Sequence, residues 1–270
     1  MKTHVAHLLH RSVRYLESGS GRTLLLLHAF PLSADQWLPQ LHRVPPGWRF
    51  IAPDLRGFRG MGPAFEDPGL SGLTMEDYAD DVLALLTHLD IENAGVAGLS
   101  MGGYVAFAML RRAPERVSAL VLSNTRAIAD SPQSREARAA SIALVEREGA
   151  AGIAREMSPK LLGESTRRGA PDLEEAVRRL ILVNAPGAII TALGALRDRP
   201  DSTGLLSAIA VPALVIAGDE DAIVNIAESR NMQQAIPGSA LIALPRTGHL
   251  GNLEAPGPWS TAVDTFLAGF

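Results

Sequence analysis

Six short apolar runs, at 23–28, 49–52, 94–99, 117–123, 211–217 and 240–244, punctuate this chain, each too short for a helix and too continuous for a strand with one wet face. Stretches with apolar residues at helical spacing lie between them. In 75–89, Tyr78, Val82, Leu85, Leu86 and Leu89 share one face, Thr74 stands at the N-cap position and acidic residues fill the first turn. Further helices are expected at 101–112, 226–235 and 259–267. Strands buried on both faces and alternating with helices require a mostly parallel sheet covered on either side, because parallel neighbours are joined only by a crossover. The alternating stretch 12–17, followed by Ser-Gly-Ser-Gly, suits an antiparallel edge hairpin.

The alternation stops between 126 and 205, a stretch without Phe, Trp or Tyr and without a strand pattern. Helices are expected there near 133–148, 150–162, 173–184 and 188–197, with Pro-Gly and Arg-Pro-Asp as breaks. The reading is a core domain of 1–125 and 206–270 interrupted by a helical insertion of 126–205.

The composition narrows the function classes. The net charge of −4 offers no field for nucleic acid or an anionic membrane, and the absence of cysteine removes disulfides, thiolate metal sites and a thiol nucleophile. No segment approaches the roughly 20 apolar residues that span a bilayer. The N-terminal ten residues lack a signal-peptide core. The expectation is a soluble cytoplasmic protein, monomer or homodimer, without nucleic-acid or membrane partners.

Gly98-Leu99-Ser100-Met101-Gly102 places one hydroxyl between a buried strand and a buried helix. A turn this tight strains the serine backbone, lifts its side chain clear of the sheet, and needs neighbours small enough for strand and helix to pass. It also sets the Met101 N–H at a helix N-terminus, where an oxyanion is stabilised. A hydroxyl nucleophile needs a base, and the base needs an orienting acid. Of seven histidines, His249 lies in a glycine-flanked loop after the last apolar strand, where catalytic groups collect in an open α/β sheet. His42 and His88 read as surface residues of helices. His4, His7 and His10 have no accompanying carboxylate cluster and read as a solvated terminal segment, so no metal site is expected. Three carboxylates, Asp219, Glu220 and Asp221, follow the 211–217 strand as acid candidates or as a solvated turn. His28-Ala29-Phe30-Pro31 ends the first long strand; Phe30 N–H is a second oxyanion donor or part of a β-turn, and His28 reads as a buried structural histidine.

Taken together, His-Ala-Phe-Pro at 28–31, Asp-Leu-Arg-Gly-Phe at 54–58, Gly-Leu-Ser-Met-Gly-Gly at 98–103, Gly-Asp-Glu-Asp at 218–221 and Gly-His at 248–249 resemble the α/β-hydrolase superfamily over nearly the whole chain. The resemblance implies an α/β-hydrolase fold: a mostly parallel eight-stranded sheet, helices on both faces, and the insertion as a helical cap between two strands. It implies Ser100 as nucleophile, His249 as base, Asp221 as acid, and Phe30 and Met101 as oxyanion donors. Asp54, Arg56 and Gly57 match a structural loop beside the site. Within the superfamily the chain resembles small carboxylesterases and 3-oxoadipate enol-lactonases. It departs from them at Ala29, where glycine is usual, and at Arg59-Gly60-Met61-Gly62. The implied activity is cleavage of a carboxylic ester of small or medium apolar character, with no cofactor, and Trp37, Met157, Leu161, Leu162 and Leu250 as the substrate wall. A serine nucleophile argues against dehalogenase and epoxide-hydrolase chemistry, which need a carboxylate at that place. Enol-lactone hydrolysis, a cofactor-free perhydrolase or haloperoxidase, a C–C bond hydrolase and a catalytically silent ligand receptor are the alternatives.

Overall fold

The apolar runs are strands. The computed structural model describes residues 1–8, 11–59 and 72–270, so His10 and 60–62 lie outside the described residues. Among the described residues eight strands form one sheet: β1 (Lys2–Leu8), β2 (Arg11–Gly19), β3 (Arg22–Leu27), β4 (Trp48–Pro53), β5 (Ala94–Leu99), β6 (Val117–Ser123), β7 (Ala213–Gly218) and β8 (Ala240–Leu244). Their order across the sheet is β1-β2-β4-β3-β5-β6-β7-β8. β1 and β2 run antiparallel, as do β2 and β4; every pairing from β4 to β8 is parallel. Leu24, Leu25, Leu26 and Leu27 of β3 have no exposed surface, the signature of a strand covered on both faces.

The helices are α1 (Leu38–Leu41), α2 (Met75–His88), α3 (Met101–Arg112), α4 (Pro132–Met157), α5 (Glu164–Gly169), α6 (Pro171–Leu182), α7 (Pro186–Asp198), α8 (Ile226–Ala235), α9 (Gly251–Glu254) and α10 (Pro256–Leu267). α2 opens on a reciprocal cap in which Thr74 accepts from the Asp77 N–H and Asp77 accepts from the Thr74 N–H. α3 is buried from Met101 to Leu110. This follows from its all-apolar, small-residue sequence, which a helix exposed on one face does not have. α4 to α7 occupy the chain between β6 and β7, where the aromatic-free insertion was read. Among the described residues no single helix is long and apolar enough to cross a membrane.

The strand expected at 211–217 is Ala213–Gly218, and the helices expected at 173–184 and 188–197 are Pro171–Leu182 and Pro186–Asp198; three further differences have a plain physical reason. The first residues form the outermost strand, not a loose solvated end. β1 escaped notice because an edge strand with two wet faces carries little apolar signal, and of its residues only Ala6 is buried. α10 begins at Pro256, three residues before 259, because proline is at home in a first helical turn, where its missing N–H has no partner to lose. The helices expected at 133–148 and 150–162 are one span, α4, kinked at Gly149 (φ 62°, ψ −158°), and a separate short helix, α5, follows. Glycine alone takes that backbone geometry at little cost.

Candidate active site

Ser100 sits between the last residue of β5 and the first of α3 with φ 52° and ψ −111°, a left-handed backbone that a non-glycine residue adopts only when its surroundings impose it. The surroundings do. The Ser100 N–H donates to the Ser123 carbonyl at 3.0 Å, and the Thr125 hydroxyl donates to the Ser100 carbonyl at 2.8 Å. A Cβ at Gly98 would stand 2.3 Å from the Gly102 carbonyl oxygen, and one at Gly102 would stand 2.1 Å from that of Leu27. Strand β3, strand β5 and helix α3 therefore approach as closely as backbone allows, and the two glycines are a steric condition of the turn.

His249 and Asp221 arrive from the ends of β8 and β7. The Nδ1–H of His249 donates to Asp221 Oδ2 at 2.8 Å, and both side chains are 1% exposed. The other oxygen of Asp221 accepts the N–H groups of Ile223 (2.8 Å) and Val224 (3.0 Å), and Oδ2 also accepts from the Asn124 amide at 3.0 Å. Burial alone would push this carboxyl up. The His249 charge and hydrogen bond, the Asn124 amide and the Val224 N–H overcome burial and hold the group below the usual carboxylate range. An ionised Asp221 obliges His249 to carry its proton on Nδ1, leaving the Nε2 lone pair free. His249 and Ser100 line one small cavity.

Two residues that the sequence reading missed hold this arrangement. Asn124, at φ 47° just past β6, donates to Asp221 and to the Gly248 carbonyl (3.1 Å), tying the acid to the histidine loop. The available signal was an asparagine at a strand end, a residue type that tolerates left-handed backbone. Glu254 accepts three backbone N–H groups: Gly248 at 3.0 Å, Leu250 at 3.1 Å and Gly163 at 2.8 Å. The first two flank His249; the third belongs to the connection between α4 and α5. Gly248 must be glycine here, since a Cβ would lie 2.1 Å from the Gly163 nitrogen.

Phe30 and Met101 have backbone N–H groups without an acceptor among the described residues, and both residues are buried. Phe30 lines the cavity with Ser100; Met101 follows Ser100 at the N-terminus of α3. His28 is fully buried, donates from Nδ1 to the Ala29 carbonyl (3.0 Å) and accepts the Leu55 N–H on Nε2 (3.0 Å). Burial drives its pKa down to about 4 against the raising effect of the Ala29 bond, so it is a neutral structural group. Asp54 accepts from Arg14 (2.7 Å) and from the Ala34 N–H (2.8 Å), closing the loop after β4. Arg56 pairs with Asp81.

Of the expected substrate wall, Met157 lines the cavity and the other four do not. Trp37 is fully buried with its ring 5.3 Å from that of Trp259, deep in the core. Leu161, Leu162 and Leu250 are turned into protein contacts, with the Leu250 N–H donating to the Leu161 carbonyl at 3.2 Å. Periodicity marks residues as apolar but does not separate those that face a cavity from those that seal the joint beside it. The wall is instead made by Phe30, Tyr104, Leu196 and Ile223 with two arginines, Arg126 and Arg138. The cavity is small, about 30 Å3.

The remaining candidates lie apart. Asp219 is exposed and accepts one long bond, from the Thr247 N–H at 3.3 Å. Glu220 accepts from the Ser165 N–H (2.7 Å) and hydroxyl (2.6 Å), bonds that lower its pKa. His42 and His88 are exposed. His4 stacks on Tyr15, and His7 bonds the Ser12 hydroxyl. Among the described residues no group of three or more His, Asp or Glu side chains is placed to hold a metal ion.

Residues 22–148 match the family model described as alpha/beta hydrolase fold. A thermophilic esterase from Thermogutta terrifontis is 36% identical in sequence and superimposes with a TM-score of 0.90, over 100% of this chain and 99% of that one. The enol-lactonase from Burkholderia xenovorans LB400 is 26% identical with a TM-score of 0.86, covering 98% and 99% of the two chains. 3-Oxoadipate enol-lactonase 2 from Acinetobacter baylyi is 28% identical over 247 residues, 92% of this chain and 89% of that protein.

Proposed function

The chain belongs to the alpha/beta hydrolase fold family, and from that premise we propose that it is a serine hydrolase that cleaves a small carboxylic ester or lactone through an acyl-enzyme. The observation that carries this reading is the shared cavity. Ser100, held at a strained turn, and His249, whose Nδ1 is bonded to a buried ionised Asp221, line the same space.

The steps follow from the donors and acceptors present. His249 Nε2 takes the proton of Ser100 as the serine oxygen bonds to the carbonyl carbon, and the carbonyl electron pair moves onto oxygen. That oxyanion lies against the N–H groups of Phe30 and Met101, each worth about 3 kcal/mol of barrier in sites of this kind. Asp221 remains ionised, fixes the tautomer and stabilises the imidazolium. Collapse breaks the bond to the alcohol oxygen, which leaves with the proton from His249; in a lactone the alcohol stays tethered to the acyl chain. Water, deprotonated by the same nitrogen, then attacks the acyl carbon and returns Ser100. These steps need no metal or organic cofactor.

The helices α4–α7 serve as the cap, and Met157 and Leu196 from them reach the cavity.

Hydrolysis of p-nitrophenyl butyrate tests the reading. Ser100→Ala abolishes turnover while the fold persists, and a fluorophosphonate adds a single label at Ser100. Activity retained within a few-fold, or a label elsewhere, overturns the assignment. Similarity to two enol-lactonases makes enol-lactones the second arm of the substrate panel.

A further inference from the structure

Beside the cavity at Ser100 lies a second, larger chamber of about 230 Å3, and the two share the side chains of Arg126, Arg138, Met157 and Ile223. A substrate that extends from the small cavity into this chamber passes these residues. Two of the four are cations, which an apolar ester has no use for.

The pairing of charges along this wall is uneven. Arg138 donates from Nε to Asp130 at 3.2 Å, but the same carboxylate also holds the buried Arg199 at 2.6 Å. Arg199 lies behind the cavity wall, its guanidinium 4.2 Å from the centre of the Tyr104 ring. Arg126 meets Glu228 at 3.2 Å and the Ile223 carbonyl, while its enclosed Nε–H finds no acceptor among the described residues. In the outer chamber Lys160 is matched by Glu156 at 2.9 Å. Four cationic side chains are thus met by Asp130, Glu228 and Glu156, with Asp201 also within reach of the Arg199 charge, so what is uneven is the pairing and not the net charge. Asp221, beside His249, has both oxygens occupied by donors. The terminal amino groups of Arg138 have no acceptor among the described residues. Arg126 and Arg138 are only 23% and 24% exposed, so their unpaired donors are weakly screened and an anion placed there would be held by charge-assisted bonds.

We propose that Arg126 and Arg138 select an ester or lactone that carries a second, ionised carboxylate, taken up where the cavity at Ser100 opens into the outer chamber. The proposal deepens the serine-hydrolase reading and rests on it for the scissile bond. The reaction is the hydrolysis already written, and the second carboxylate enters and leaves unchanged.

Two pairs of substrates test it, one for each end of the ester. In the acyl arm, mono-p-nitrophenyl glutarate is compared with p-nitrophenyl valerate. In the alcohol arm, 4-acetoxybutyrate is compared with butyl acetate by pH-stat. The expected result is that the anionic member of at least one pair has a kcat/KM about tenfold or more above its neutral partner, and that Arg138→Gln lowers this ratio by a similar factor. Arg138→Lys restores part of it, and Arg178→Gln, an exposed side chain of α6 paired with Glu175 and not among the residues lining either space, leaves it unchanged. Arg126→Gln is read the same way if its melting temperature is retained; Arg138→Gln decides the matter if it is not. Anionic members no better than neutral ones in both arms, or a ratio indifferent to Arg138→Gln, overturn the proposal. In that event turnover of p-nitrophenyl valerate, lost in Ser100→Ala, shows the serine-hydrolase reading intact. Should no ester be turned over at all, calorimetric binding of glutarate to the wild type and its loss in Arg138→Gln still decide the anion site by itself.

Discussion

Replacing Asp221 by asparagine changes one atom and sets four hydrogen-bond donors against a group able to receive only some of them. In the wild type, Oδ1 accepts the Ile223 and Val224 N–H groups, and Oδ2 accepts His249 Nδ1–H and the Asn124 amide. An amide oxygen turned toward the backbone pair leaves an NH2 facing His249 and Asn124. Asn124 cannot simply flip, because its nitrogen also donates to the Gly248 carbonyl and its oxygen accepts from Ser123. The histidine yields instead: Nδ1 becomes the acceptor and the proton moves to Nε2, the atom that must receive the Ser100 proton. A base in the wrong tautomer, without the carboxylate that stabilises its cation, costs about 10⁴-fold in kcat, or about 5.5 kcal/mol of barrier. Asp219→Asn, two residues away, disturbs one 3.3 Å bond on an exposed side chain and should cost less than about threefold. Initial rates on p-nitrophenyl butyrate from neutral to alkaline pH, with the fold checked by circular dichroism, measure both. An Asp221→Asn enzyme within about tenfold of the wild type, or an equal loss in Asp219→Asn, would refute the tautomer argument.

Gly102→Ala sets a methyl 2.1 Å from the Leu27 carbonyl oxygen, backbone against backbone; the variant should lose about 3 kcal/mol or more by chemical denaturation, or fail to accumulate. Glu254→Ala strands the N–H groups of Gly248, Leu250 and Gly163, so stability falls by about 3 kcal/mol and kcat falls with it as the His249 loop loosens. Glu254→Gln, which keeps one oxygen, recovers part of both in the same assays, and an alanine variant that matches the wild type removes Glu254 from this role. His28 has a folded pKa of about 4 against 6.5 unfolded. Below pH 6.5 the unfolded chain therefore takes up a proton that the folded chain refuses. Its stabilising contribution is complete above 6.5 and is lost as pH falls through about 4, amounting to about 3 kcal/mol. Denaturation across this range should show a flatter pH dependence in His28→Asn, and an identical slope would remove His28 as the cause.

Local chemistry wrote much of this molecule into its sequence. The run Leu24 to Leu27 leaves no face that tolerates water, so the strand is central in the sheet; Gly98, Gly102 and Gly103 admit a close strand–helix turn and little else; β5, α3, β6 and α8 begin and end where the residues indicate. These features are legible because neighbours along the chain decide them. β1 and the kink at Gly149 were not legible, since an edge strand needs only a partner and a kink only room, and neither leaves an apolar pattern.

The site divides along the same line. Ser100 and His249 were marked by their glycines, which are conditions of local backbone geometry. Asp221 was not separable from Asp219 by residue type alone. The distinction is made by Asn124 and two backbone N–H groups, and Asn124 lies 97 residues away along the chain. Leu161, Leu162, Leu250 and Trp37 are as apolar as Met157, yet only Met157 meets the cavity, while Arg126 and Arg138 do so as charges. Sequence by itself determined most of the strands and the turn at the serine, and marked Ser100 and His249 as candidates, because each depends on residues a few positions apart. Asp221 was indicated only by the family resemblance; its pairing with His249, and which side chains face the cavity, are settled by tertiary structure, because those are relations between strand ends and helices that meet only when the sheet has closed over its core.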